Sequence, residues 1–139
     1  MRFRATSNPL RQTLAALLLM FFALPLWAQR AGEISGLIPQ GTRNAATAKL
    51  RDAVDWNDLL KTLRMGRMRA SLLDGSILSL GRDSELRVVQ HDAASQQTQL
   101  DLSFGRLRNR VVQMTKPGAK YEVTTPNAVV GVIGTDFYI

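Results

Sequence analysis

From Arg67 onward the chain alternates polar and apolar residues with a period of two. That is the pattern of a half-buried strand, whose successive side chains point to opposite faces. Met68, Ala70 and Leu72 interleave with Arg67, Arg69 and Ser71. Asp74-Gly75 follows, a dipeptide that accepts positive φ and closes tight hairpins. Ile77 to Leu80 is then the return strand, ended by Gly81. Leu86 and Val88 alternate with Glu85, Arg87 and Val89 in a third strand, and the polar stretch from His91 to Gln97 reads as a loop. Leu100, Leu102 and Phe104 share one face of the next strand. Past Gly105, Leu107, Asn109 and Val111 lie inward while Arg106, Arg108 and Arg110 share the outward side. After the Pro117-Gly118 turn signal, Tyr121, Val123 and Thr125 alternate again, and Pro126-Asn127 leads into the apolar run Ala128 to Ile133. Short strands punctuated by turns, with no long amphipathic helix competing, predict an all-β domain: antiparallel strands in a sandwich, a barrel or a short solenoid.

The pattern is weaker before Arg67. Gln29 to Leu50 holds one short apolar strand candidate, Ile34 to Ile38, among Gly, Pro, Asn and Thr. This extension, residues 29–53, is expected to wrap an edge of the domain or hang loosely. Val54, Trp56, Leu59, Leu60 and Leu63 fit one helical face, and they fit equally a strand–turn–strand around Asn57-Asp58. Both stay open. Residues 54–139 are expected to form the β domain proper. The chain stops at Ile139 inside an apolar-rich run, from which one or more closing strands are expected beyond it.

Residues 1–28 have a different character. Arg2, Arg4 and Arg11 precede an unbroken apolar stretch from Leu14 to Trp27, and Ala28 follows. A positive start, a short apolar middle and a small exit residue make up a helical signal peptide cut after Ala28, with Ala31 the alternative cut. About 15 residues of helix span roughly 22 Å, less than the ~30 Å of a bilayer core, so an uncleaved inner-membrane anchor is the lesser reading. Phe3 separates Arg2 from Arg4, which favours the general secretion route and a periplasmic destination.

That segment also changes the charge argument. The whole chain carries a formal +7, but three of its 18 Lys and Arg lie before Ala28, leaving 15 against 11 Asp and Glu. A mildly basic mature domain gives little support to nucleic-acid binding. The absence of cysteine excludes disulfides and thiolate metal sites.

Three stretches, in order, resemble the FecR-type domain. They are Gly66 to Gly81 with Ser84-Glu85-Leu86, then Phe104-Gly105-Arg106-Leu107-Arg108, then Tyr121 to Phe137, where a Thr-Pro turn leads through an apolar strand to Gly134-Thr135-Asp136-Phe137. The resemblance implies a periplasmic regulatory or protein-interaction module related to the sensor part of iron-transport regulators. Those regulators pair a cytoplasmic anti-sigma segment and a membrane helix with this domain. Here only 13 residues precede the apolar stretch, and Ile133 stands where many relatives place an arginine. The expectation is therefore the exported β domain without the cytoplasmic half. Within the motifs, Gly75 and Gly134 are expected at unusual backbone angles, Asp74 and Ser76 in a self-bonded turn, and Thr135 and Phe137 as fold-defining residues, Phe137 in the core.

Candidate chemistry is sparse. His91 is the only histidine and, opening a polar loop, is expected to be solvated. Asp52, Asp55 and Asp58 lack the Gly-containing loop of a calcium site and read as a solvated face beside Trp56. Asp74, Asp83 and Glu85 sit at turns, where carboxylates serve local hydrogen bonds. No nucleophile elbow or phosphate loop is present, so neither an enzyme nor a cofactor is expected. The candidate surface is basic. Arg106, Arg108 and Arg110 share one strand face, and Arg67 and Arg69 another. The expected partner is a periplasmic or membrane protein, or an acidic envelope polymer. The other reading is a structural or carbohydrate-binding envelope domain without signalling, for which Trp56, Tyr121 and Tyr138 are the available aromatics.

Overall fold

The computed structural model describes residues 29–134 and 136–139. The expected signal peptide, its expected cut at Ala28 and the motif residue Thr135 lie outside them. Thirteen strands follow in order: β1 (Arg30–Ile38), β2 (Gly41–Arg43), β3 (Ala46–Thr47), β4 (Ala53–Asp55), β5 (Leu59–Thr62), β6 (Arg67–Leu72), β7 (Ile77–Leu80), β8 (Ser84–Asp92), β9 (Gln97–Phe104), β10 (Leu107–Arg110), β11 (Lys120–Thr125), β12 (Ala128–Val132) and β13 (Asp136–Tyr138). No helix occurs among the described residues, so the all-β expectation holds.

The strands form two sheets, one ordered β13-β10-β7-β6-β1-β4 and the other β12-β11-β9-β8-β5-β2-β3. The inward residues of both make one core, in which Ile34, Leu60, Ala70, Leu78, Leu86, Val88 and Val123 are completely buried. The architecture is the sandwich. One pairing is not antiparallel: β11 runs parallel to β9. The chain leaves β9, crosses to the opposite sheet as β10, and returns as β11, and only a crossover of this kind brings parallel neighbours together.

Two expectations change here and one open choice is decided. The segment expected to wrap an edge or hang loosely divides: β1 runs between β6 and β4 with Ala31 and Ile34 fully buried, while β2 and β3 form one edge of the second sheet. The stretch around Asn57-Asp58 is strand–turn–strand, and Asn57 takes the left-handed turn conformation at φ 67°. Finally, the alternation is broken by bulges, which insert an extra residue and exchange the two faces beyond it. On β9 a register shift opposite Glu85/Leu86 turns Phe104 outward, 46% exposed instead of in line with Leu100 and Leu102, and Lys61 lies 5.6 Å from its ring. On β8 the shift between Val88 and Gln90 brings His91 to the core side. His91 and Gln97 therefore belong to strands, and the loop is only Ala93 to Gln96.

Because β1 is interior, it should contribute like core. Ile34→Ala is expected to cost about 2–4 kcal/mol in urea unfolding, whereas Ile38→Ala, at a half-exposed position, should change stability by less than about 1 kcal/mol.

Candidate functional site

The inward faces of β6, β7 and β10 are Met68, Ala70, Leu72, Leu78, Leu80, Leu107 and Asn109, all buried. Their outward faces are then fixed by the pleat. β6 presents Arg67 and Arg69, β10 presents Arg108 and Arg110, and Arg106 leads into β10 on the same side. β7 runs between them, with Ser79 opposite both Arg69 and Arg108, and Ile77 opposite Arg110. All five arginines of the sequence motif thus meet on one sheet face. An open groove of about 860 Å³ extends over it from Arg67 and Ser79 to Arg82, Arg106, Arg108 and Tyr138.

Their electrostatic situations differ. Arg108 is held by β13: its Nε and one terminal nitrogen donate to the Asp136 carboxylate at 3.0 and 2.5 Å, and its guanidinium lies 5.1 Å from the Tyr138 ring centre. These hydrogen bonds hold the Asp136 carboxyl below the usual carboxylate range. Arg67, Arg69, Arg106 and Arg110 make no ion pair among the described residues. The opposite sheet is different, since its outward charges are mixed in sign and include the pairs Lys61–Glu85 and Lys120–Glu122. The cationic excess is therefore local to one face.

The turn motif performs as its residues suggest. Gly75 has φ +90° and Gly134 φ +74°. The Asp74 carboxylate accepts hydrogen bonds from the Ser76 amide at 2.8 Å and the Ser76 hydroxyl at 3.0 Å. Ser76 is fully buried, and its hydroxyl oxygen accepts from the Val112 amide, tying the hairpin to the segment after β10. Phe137 is only partly buried, packing edge-on against Tyr121 with ring centres 6.4 Å apart. The Tyr121 hydroxyl donates to Asn109 Oδ1 at 3.1 Å, joining the two sheets inside the core. Burial raises that phenol's pKa and keeps it a donor.

Two polar sites were not legible in the sequence. Asp58 is 5% exposed, not part of a solvated face. Its carboxylate accepts from Arg43 Nε, Asn44 Nδ2 and the Asp55 amide, which also raises the Arg43 pKa. Arg43 reaches Asp55 as well, at 2.9 Å, so two of the three aspartates close the β4–β5 turn onto β2. His91, expected in solvent, has a fully buried side chain. Its Nδ1 lies 2.9 Å from Thr98 Oγ1, and its Nε2 is 3.8 Å from Asp74. Burial lowers the His91 pKa, against the opposing pull of Asp74 and Asp92. No group of three or more His, Asp or Glu side chains converges as a metal-binding set among the described residues.

A model of the family described as FecR protein matches residues 58–139, more than half of the chain. No curated protein and no solved structure matched.

Two predictions follow from this geometry. With its pKa lowered in the fold, neutral His91 stabilises the protein fully above about pH 6.5, and that contribution is lost as pH falls towards the folded value. The urea midpoint should therefore drop between pH 7.5 and pH 5, and His91→Asn should flatten the slope. A second test concerns Arg108. Asp136→Asn should raise the salt needed to elute the protein from a sulfonate resin by more than Asp101→Asn, the same charge change on the other sheet.

Proposed function

The chain belongs to the FecR family, and from that premise we propose that it is an exported, non-enzymatic regulatory module that acts by contact and uses the arginine face to meet an acidic partner. The FecR family supplies the regulatory character. Export to the periplasm rests on the basic and apolar composition of residues 1–28. In the described part no helix is long and apolar enough to cross a membrane. A link to iron-transport regulation follows from the family resemblance and is part of the same proposal.

The observation that carries the reading is the asymmetry between the two outer faces. Arginines without ion-pair partners gather on strands whose reverse sides form the core, while the second sheet carries mixed and paired charges. Such a predominantly cationic surface raises the local concentration of an oppositely charged partner and accelerates encounter. Arginine also suits oxyanions better than lysine, because its planar fork can donate two parallel hydrogen bonds to one carboxylate or phosphate.

Replacing Arg67, Arg69, Arg106 and Arg110 together with Ser should abolish retention of the protein on purified envelope fractions. All four side chains are exposed, so the thermal midpoint should move by no more than a few degrees. Undiminished retention by the folded variant would overturn the assignment of this face.

A further inference from the structure

The arginines do not form a diffuse patch; they stand as two walls. Arg67 and Arg69 rise from β6, and Arg106, Arg108 and Arg110 rise along β10. The strand between them turns only Ile77 and Ser79 outward, and Gly81 continues the floor at the end of β7. Neighbouring strands lie about 4.8 Å apart, so the walls stand roughly 10 Å apart at the backbone, with Ile77, Ser79 and Gly81 between them. An α-helix with its side chains is about 10–12 Å across and does not fit between walls that themselves carry long side chains. A single extended chain does.

The walls also have a repeat. Arginines at alternate positions of a strand recur about every 6.8 Å, and alternate side chains of any extended peptide recur at the same spacing. A peptide with acidic residues at every second position would therefore present one carboxylate to each rung, each able to take a two-pronged hydrogen bond. Sugar recognition draws on exposed aromatic rings, and this face offers only Tyr138, already set against Arg108. The carboxylates on this sheet face are Asp136, engaged by Arg108, Asp83 at the rim of the groove, and Glu33 on β1, which pairs with Arg30 outside the two walls. The floor lends no backbone hydrogen bonds, since β7 is paired on both sides by β6 and β10. Recognition must come from the side-chain ladder.

We propose that the trough over β7 binds an extended acidic segment of a partner protein, with Asp or Glu at alternate residues. This rests on the reading of the arginine face as the contact surface and names its occupant.

The test measures fluorescence anisotropy of two labelled 12-residue peptides against the purified full chain at low salt. One alternates Glu and Ser; the other has the same composition with its glutamates in one block. The alternating peptide should bind about tenfold more tightly, the worth of one or two rim charge pairs. Ser79→Tyr, which fills the floor but keeps every arginine and suits a strand, should erase that preference. Equal affinity for the two peptides would overturn the ladder while leaving the arginine face as a general anion surface. Binding of polygalacturonate with neither peptide bound would also overturn this inference, in favour of an acidic envelope polymer. Failure to bind any of the three would overturn the arginine-face reading itself.

Discussion

The pleat of three neighbouring strands governs both the stability and the surface of this protein. Met68, Ala70 and Leu72 on β6, Leu78 and Leu80 on β7, and Leu107 on β10 are removed from water. Each fully buried Leu or Met side chain contributes roughly 1.5–3 kcal/mol by burial, so the register that buries them is strongly selected. The same register sends Arg67, Arg69, Arg108 and Arg110 to the opposite face. A slip of one residue would place guanidinium groups in the core, at a cost far beyond the stability of a small domain. The cationic face is thus the obligatory reverse of the core and shares its rigidity.

Where alternation runs unbroken, the sequence could be read directly. β6, β7 and β10, the Asp74-Gly75 turn and the inward placement of Asn109 all follow from period two and turn chemistry. The errors cluster where a bulge resets the parity. Extending the pattern from Val88 leaves His91 outside, yet one extra residue on β8 puts it against Thr98 and Asp74. Extending it from Leu102 leaves Phe104 inside, and the bulge on β9 turns it out. On β1 a third shift, between Ile34 and Gly36, changes which residues face the core. On β8 and β9 the residues left out of the pairing are Val89 and Ser103, which carry no sign of a bulge; only on β1 does a glycine, Gly36, mark the place.

Asp58 was missed for another reason. A buried carboxylate is tolerated only when its acceptors are filled, and beside the nearby Asp55 amide its side-chain donors come from Arg43 and Asn44, in a different strand and turn some fifteen residues away. The β4–β5 turn is closed by this long-range set, which spacing along the chain does not reveal. Asp74 works the other way: its partner Ser76 is two residues distant, and the motif was legible. Both carboxylates organise turns, and the guanidinium groups of Arg67, Arg69, Arg106 and Arg110 stay outward without an ion pair among the described residues.

The most direct test of that surface is to map it. Amide resonances of the protein are followed while polyglutamate is added at low salt. If the arginine face is the contact surface, shifts are confined to β6, β7, β10 and β13, and they reverse as salt is raised past the screening range of about 0.15 M. Shifts centred on Lys61, Arg87 or Lys120 of the opposite sheet, or no shifts at all, would contradict it.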